Sequence, residues 1–269
     1  MTGIVTNEGV NVIFEVMYNQ DVTDRSANLI LGLFINTSGL DATTTWASSD
    51  ITQPTLTGYA EKTLTDASWT VSGGIASYAI QEWTAGADWT DEDVTGYYIR
   101  TQGTTPRLVY IEMSGFSQVV ANTFKYKVTP NITMSSGTNG ITCLEGLDIL
   151  MTSFFKRDLH TADSIKLYPI GDTTAFDEDT VFASVVPVTG GDSTAKTISD
   201  STWSVASKNT ALAIQTWTAS ADWSAPVYGI ATSVTKSAVE YLVSIDNFST
   251  AYTILDTYLL QHDLSNITD

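Results

Sequence analysis

One stretch of this chain is written twice, and that repeat limits what the chain can fold into. Thr65-Asp66-Ala67-Ser68-Trp69-Thr70-Val71 through Asp88-Trp89 returns as Ser199-Asp200-Ser201-Thr202-Trp203-Ser204-Val205 through Asp222-Trp223. Between the outer tryptophans, Ile80-Gln81-Glu82-Trp83-Thr84-Ala85 returns as Ile214-Gln215-Thr216-Trp217-Thr218-Ala219, at an offset of about 134 residues and without a gap. A period of this length implies two domains rather than a solenoid of short repeats.

The match extends in both directions. Lys62-Thr63-Leu64 pairs with Lys196-Thr197-Ile198, and Leu31-Gly32-Leu33-Phe34 is aligned with Ile165-Lys166-Leu167-Tyr168. Glu8-Gly9-Val10 resembles Glu145-Gly146-Leu147 with a small shift. Gly115-Phe116-Ser117 pairs with Asn247-Phe248-Ser249, and each copy closes on Asn-Ile-Thr, at Asn131 and Asn266. The chain is therefore expected to be two domains, residues 1–136 and 137–269, joined near Ser135–Gly140. A module of that size can bury a sufficient core unaided.

Charge excludes several partners. Residues 1–136 carry 6 basic and 14 acidic groups, residues 137–269 carry 6 and 16, and the total is -18. Nucleic-acid affinity comes largely from Lys and Arg neutralising phosphates, so no nucleic-acid partner is expected. Anionic membrane surfaces are disfavoured for the same reason. The N-terminal residues show neither a charged n-region nor a long apolar run, so neither a signal peptide nor a membrane span is expected. The single Cys143 precludes an intrachain disulfide framework and reads as a small buried residue.

Period-2 alternation dominates. Val10, Val12, Phe14, Val16 and Tyr18 alternate with polar residues and predict a strand over 9–18. Leu29, Leu31, Leu33 and Ile35 predict a second. Asn36 to Pro54 is a long polar loop containing Trp46. Further strands are expected over 55–63, 67–72, 75–84, 94–101, 107–113 and 119–128, with turns at Gly73-Gly74 and at the acidic Asp88–Asp93, and an edge strand after Pro130. No stretch shows a sustained 3.6-residue period. The expected fold is all-β: two tandem β-sandwich domains from an internal duplication, jelly-roll-like in topology, with an immunoglobulin-like sandwich as the alternative.

No catalytic constellation emerges. His160 and His262 fall at unrepeated positions without ligand-spaced partners, and no phosphate loop, HExxH or GxSxG pattern occurs. Asp88, Asp91, Glu92 and Asp93 crowd one segment and offer oxygen ligands to calcium, but only Asp88 recurs, as Asp222; Asp177-Glu178-Asp179 is read in the same way, as a solvated acidic loop. No catalytic, cofactor or metal residue is therefore expected. Trp69, Trp83, Trp89 and their repeats suit either sugar stacking or a core, and the core reading is favoured, with Gln81 and Gln215 as candidate partners for indole N–H groups. Trp46 has no repeat and is the candidate partner-contact residue. Asn-x-Ser/Thr sequons at Asn36, Asn131, Asn247 and Asn266 read as coincidence in a Thr-rich chain.

The run Gly58-Tyr59 … Leu64 … Trp69-Thr70-Val71 … Gln81-Glu82-Trp83-Thr84 … Val94-Thr95-Gly96-Tyr97-Tyr98, followed by Leu108–Glu112 and Val128-Thr129-Pro130-Asn131-Ile132, resembles a recurring β-sandwich virion module of tailed bacteriophages. The likeness weakens in the second copy, where Tyr97-Tyr98 becomes Ile230-Ala231. It implies a non-enzymatic virion structural protein, a decoration or cement protein on the capsid exterior. Such a protein would be made in the host cytoplasm, would contact the major capsid protein or other virion proteins, and would be a homo-oligomer. The alternative is a tail, baseplate or fibre component with glycan or receptor binding. A carbohydrate-active enzyme on a β-sandwich is a third, weaker reading.

Overall fold

The computed structural model describes residues 3–25, 28–35, 39–47, 51–103, 105–134, 141–171, 176–206 and 209–262. The expected linker 135–140 and the sequons at Asn36 and Asn266 lie outside these. The chain is mostly β, with several antiparallel sheets, and divides into two compact units. Unit 1 comprises Met1–Val16, Asp21–Thr133 and Phe154–Arg157; unit 2 comprises Met17–Gln20, Met134–Ser153 and Asp158–Asp269.

In chain order, the first elements are β1 (Gly3–Val5), α1 (Asn7–Tyr18), β2 (Asn28–Phe34), β3 (Lys62–Thr65), β4 (Thr70–Ser72) and β5 (Ile75–Ser77). They are followed by β6 (Gln81–Thr84), β7 (Trp89–Thr101), β8 (Leu108–Val120), β9 (Lys125–Val128) and β10 (Asn131–Thr133). Five of them form an antiparallel sheet in the order β1-β8-β7-β2-β3. Two small sheets, β10-β5-β4 and β6-β9, complete the set. β10 lies at a sheet edge, as the proline before it suggests.

The remaining elements are β11 (Ile141–Thr142), α2 (Leu144–Phe155), β12 (Ile165–Ile170), β13 (Lys196–Ile198) and β14 (Ser204–Ala206), then β15 (Asn209–Ala211), β16 (Gln215–Thr218), β17 (Val227–Lys236), β18 (Val239–Tyr252) and β19 (Leu259–His262). Their five-stranded sheet runs β11-β18-β17-β12-β13, with two further two-stranded sheets, β14-β15 and β16-β19. Lys62 is opposite Leu31 in one sheet and Lys196 is opposite Leu167 in the other. This register sets Leu31 against Leu167, so the sequence pairing of Leu31 with Ile165 is corrected by two residues. A two-residue slip leaves every side chain on its own face, which is why pattern alone does not detect it.

The strand expected over 9–18 is instead helix α1. Val10, Val12, Ile13, Phe14 and Val16 are all buried. The alternating set is real, but Ile13 fills the helical spacing Val10-Ile13-Phe14-Met17 that alternation omits. Full burial of such a side chain is worth roughly 1.5–3 kcal/mol, while a β-branched residue costs a helix only about 0.5 kcal/mol. Packing therefore decides the conformation. Thr6 caps the helix: its Oγ1 accepts from Gly9 N–H at 3.0 Å and donates to the Leu108 carbonyl. Gly9 is required by contact, since a Cβ there would overlap the Val109 carbonyl. In α2, Gly146 meets Val243 in the same way.

Other expected strands are shorter than the sequence suggests. Residues 55–61 form no strand, a single 3₁₀ turn occupies Asp66–Ser68, and the stretch 75–84 breaks after Ser77. The segment expected over 119–128 divides between the end of β8 and β9. Asp91, Glu92 and Asp93 belong to β7 rather than to a turn, where the register against β8 shifts between Trp89 and Val94. Gly73 and Gly74 do make the expected turn, both with positive φ.

Candidate partner-contact site

The first turn of each helix supplies a carboxylate that ties a loop to the sheet. Glu8 Oε2 accepts from the N–H groups of Trp46 and Leu108, both at 2.9 Å. Glu145 Oε2 accepts from Phe182 at 3.0 Å and Leu242 at 2.8 Å. Trp46, unmatched in sequence, thus has a positional counterpart in Phe182. The available signal was distance: Trp46 follows Glu8 by 38 residues and Phe182 follows Glu145 by 37.

Around Trp46 the structure assembles a compact polar-aromatic cluster. The half-buried indole lies over the Arg100 guanidinium at 4.7 Å and tilts against Tyr98 at 5.2 Å. Arg100 grips Glu61 with both arms, Nε to Oε1 at 3.0 Å and Nη2 to Oε2 at 2.6 Å. The Tyr98 hydroxyl donates to Glu61 Oε1 at 2.5 Å. Burial, then the neighbouring Tyr59 and Glu61, push the Tyr98 phenol well above its ordinary range, so it stays a donor. Tyr98 lies opposite Gly32, and its ring fills the space a Cβ there would take.

The second sheet uses similar chemistry with the aromatic on the other strand. Tyr168 lies opposite Ala231 and packs on Phe182 at 5.4 Å. Its hydroxyl donates to Glu240 Oε1 at 2.6 Å, and Lys166 Nζ is 3.5 Å from the same oxygen. In both clusters a tyrosine hydroxyl donates to a carboxylate that also pairs with a cation.

The six repeated tryptophans are core. Trp69, Trp83, Trp89, Trp203, Trp217 and Trp223 are all buried, which removes them as sugar platforms. Trp83 and Trp89 donate to Ala60 O and Thr57 O; Trp217 and Trp223 donate to Thr194 O and Gly191 O. Gln81 and Gln215 do not serve the indoles: each Nε2 turns back onto its own backbone, at Ala79 O and Ala213 O. The recurring aspartates are turn caps. Asp88 Oδ1 accepts from Asn122 N–H at 2.6 Å, and Asp222 Oδ1 from Asp256 N–H at 2.8 Å. Glu92 holds Thr55, with its Oε1 2.8 Å from the hydroxyl. Asp177 builds its own turn with Asp179 and Thr180. Among the described residues no group of three His, Cys, Asp or Glu converges as a metal site.

His160 is buried against the Met17 carbonyl (2.6 Å) and Ser164. His262 is buried with Nε2 3.2 Å from Asp246, poorly aligned for a hydrogen bond. Cys143 is buried, and desolvation raises its thiol to about 12.

Sequence reasoning missed the exposed apolar side chains. Ile80 and Ile214 are 51% and 59% exposed, Phe124 and Tyr258 67% and 54%, Val119 and Tyr252 60% and 50%. The turn bonds of Phe124 match those of Tyr258: each N–H reaches back three residues and each carbonyl accepts from the alanine after the Gln-x-Trp-Thr strand. The sequence signal was the isoleucine before each such strand, on the face opposite the buried tryptophan.

No family model, curated protein or solved structure matches the chain.

Proposed function

We propose that the chain is a non-enzymatic structural protein of a tailed-phage particle, made of two diverged copies of one β-sandwich module and decorating the capsid exterior through protein–protein contacts. In this reading the small sheets supply the second layer of each sandwich. The observation that carries it is the placement of bulky apolar side chains at matching exposed positions in both units, Ile80 with Ile214 and Phe124 with Tyr258. A duplicated contact surface lets one chain engage two equivalent neighbours of a symmetric shell, and linked contacts raise avidity without new chemistry. The net charge of -18 keeps such a chain away from packaged nucleic acid. Trp46 on its Arg100 platform is the further contact residue of unit 1.

The test is the copy number of the chain in purified particles, by quantitative mass spectrometry against the major shell protein. Tens to hundreds of copies are expected. A handful would move the assignment to the tail, and none would remove it.

A further inference from the structure

Unit 1 holds a recess of about 170 Å³ between the long sheet and strand β9, with Glu112 in its wall. Tyr97, directly across from Glu112 on β7, and Tyr110, two residues away on β8, both donate to Glu112 Oε2 at 2.8 Å. Both phenols are pushed above their ordinary range, first by burial, so they remain protonated donors. They fix the carboxylate from one side only. Among the described residues none donates to Oε1, and the Tyr126 hydroxyl in the same wall has no hydrogen-bond partner. Lys127, at the rim, is 2.8 Å from Glu82, which balances its charge.

We propose that this recess binds a primary ammonium group, the head of a lysine side chain from a partner protein. An ammonium carries three donors and no acceptor. Glu112 Oε1 and the Tyr126 oxygen accept two of them, and the carboxylate charge favours a cation over a neutral group. A calcium ion needs six or more oxygens and finds one carboxylate. The acidic chain raises the local concentration of cations. Among the described residues the arrangement around Glu112 is not repeated in unit 2. The position matching Glu112 is Asp246, opposite Ile230 rather than a tyrosine and already beside His262. This inference stands on the recess and not on the virion reading.

The experiment uses the full chain and two small probes, Nα-acetyl-lysine methylamide and its uncharged counterpart Nα-acetyl-norleucine methylamide, followed by NMR of the tyrosine ring signals. The lysine probe is expected to shift the Tyr97 and Tyr126 signals saturably and the norleucine probe to leave them in place. Glu112→Gln should weaken the lysine probe by about tenfold or more, the loss of a charge-assisted bond, whereas Asp246→Asn should not change it. If Glu112→Gln fails to fold, Tyr126→Phe is read instead and should weaken binding several-fold. Equal response to both probes, no saturable shift, undiminished binding by the variant, or displacement by glucose would each overturn the proposal.

Discussion

The two units share a frame and differ in the chemistry laid on it. The five-stranded sheets have matching order, the helices begin with Glu-Gly against a strand backbone, and four indoles hold four loop carbonyls at matching positions. What differs is who partners whom. Tyr98 over Gly32 becomes Tyr168 beside Ala231, with the aromatic moved to the neighbouring strand. Glu112 with two tyrosines becomes Asp246 with a histidine. The lesson is that backbone approach and indole anchoring tolerate little change. Side-chain pairs across a sheet can trade places if each hydroxyl and carboxylate keeps a partner.

The sharpest test of the shared frame is Gly9→Ala beside Gly146→Ala. In each helix the new Cβ would overlap a strand carbonyl, Val109 in one and Val243 in the other, and backbone cannot move aside as a flexible side chain can. Each substitution should cost about 3 kcal/mol or more, at the upper end of overpacking penalties. Hydrogen exchange of β8 amides for the first and β18 amides for the second would report it. A tolerant Gly146 beside an intolerant Gly9 would break the equivalence.

The next test asks for opposite signs from one substitution. Asp66 and Asp200 hold the same place in the repeat. Asp66 accepts from Arg25, fully buried, at 2.6 Å. Among the described residues no cation lies within ion-pair distance of Asp200, and the positive charge that acts on it is that of His160. One oxygen accepts from Asp163 N–H, the other is buried without a partner, and burial pushes its carboxyl above the usual range. Asp66→Asn should cost about 3 kcal/mol by leaving a buried guanidinium without its anion. For Asp200 the raised carboxyl means that, between the unfolded and folded titration ranges, the folded chain holds a proton that the unfolded chain has released. That stabilisation is complete below the unfolded carboxyl range and is lost as pH rises through the folded one. At neutral pH Asp200→Asn should therefore stabilise unit 2, and the gain should vanish on acidification to about pH 3. Melting curves of both variants at the two pH values decide it.

The sequence showed the strands where alternation was bounded by turn residues, as at Leu29–Leu33 and Gly73-Gly74, and it showed the tryptophan core because the repeat kept it. It hid the helices because α1 is buried on nearly every side and rich in valine, so a period of two and a period of 3.6 fit the same letters. Thr6, three residues before Gly9, was the overlooked cap. The polar-aromatic clusters were illegible for a different reason: Glu8, Trp46, Glu61 and Tyr98 come from four separate segments, and only tertiary contacts between α1, the loop holding Trp46, the residue before β3 and strand β7 bring them together. Trp46 has no repeat in the sequence, yet it has a positional partner, Phe182, that shares no sequence with it.

The smallest expected effect concerns a strained residue that both units keep. Thr123 and Thr257 have φ of 71° and 68°, a left-handed conformation that a β-branched residue resists. Each is held there by neighbours. Thr123 N–H donates to Ala85 O and Thr257 N–H to Ala219 O, both at 2.9 Å, while Asp88 and Asp222 cap the preceding residue. The turn is thus fixed by backbone bonds that do not depend on the threonine side chain, which is exposed in both units. Asparagine accepts this conformation far more readily, so Thr123→Asn and Thr257→Asn should each stabilise the chain by about 1 kcal/mol. Thr→Ala at the same positions keeps the Cβ that clashes in the left-handed region and should gain much less. If alanine gained as much as asparagine, the strain would lie in side-chain branching alone. If only one unit responded, the two turns would differ in how firmly Asp88 and Asp222 impose the conformation, and Asp88→Ala beside Asp222→Ala would show which cap is the weaker.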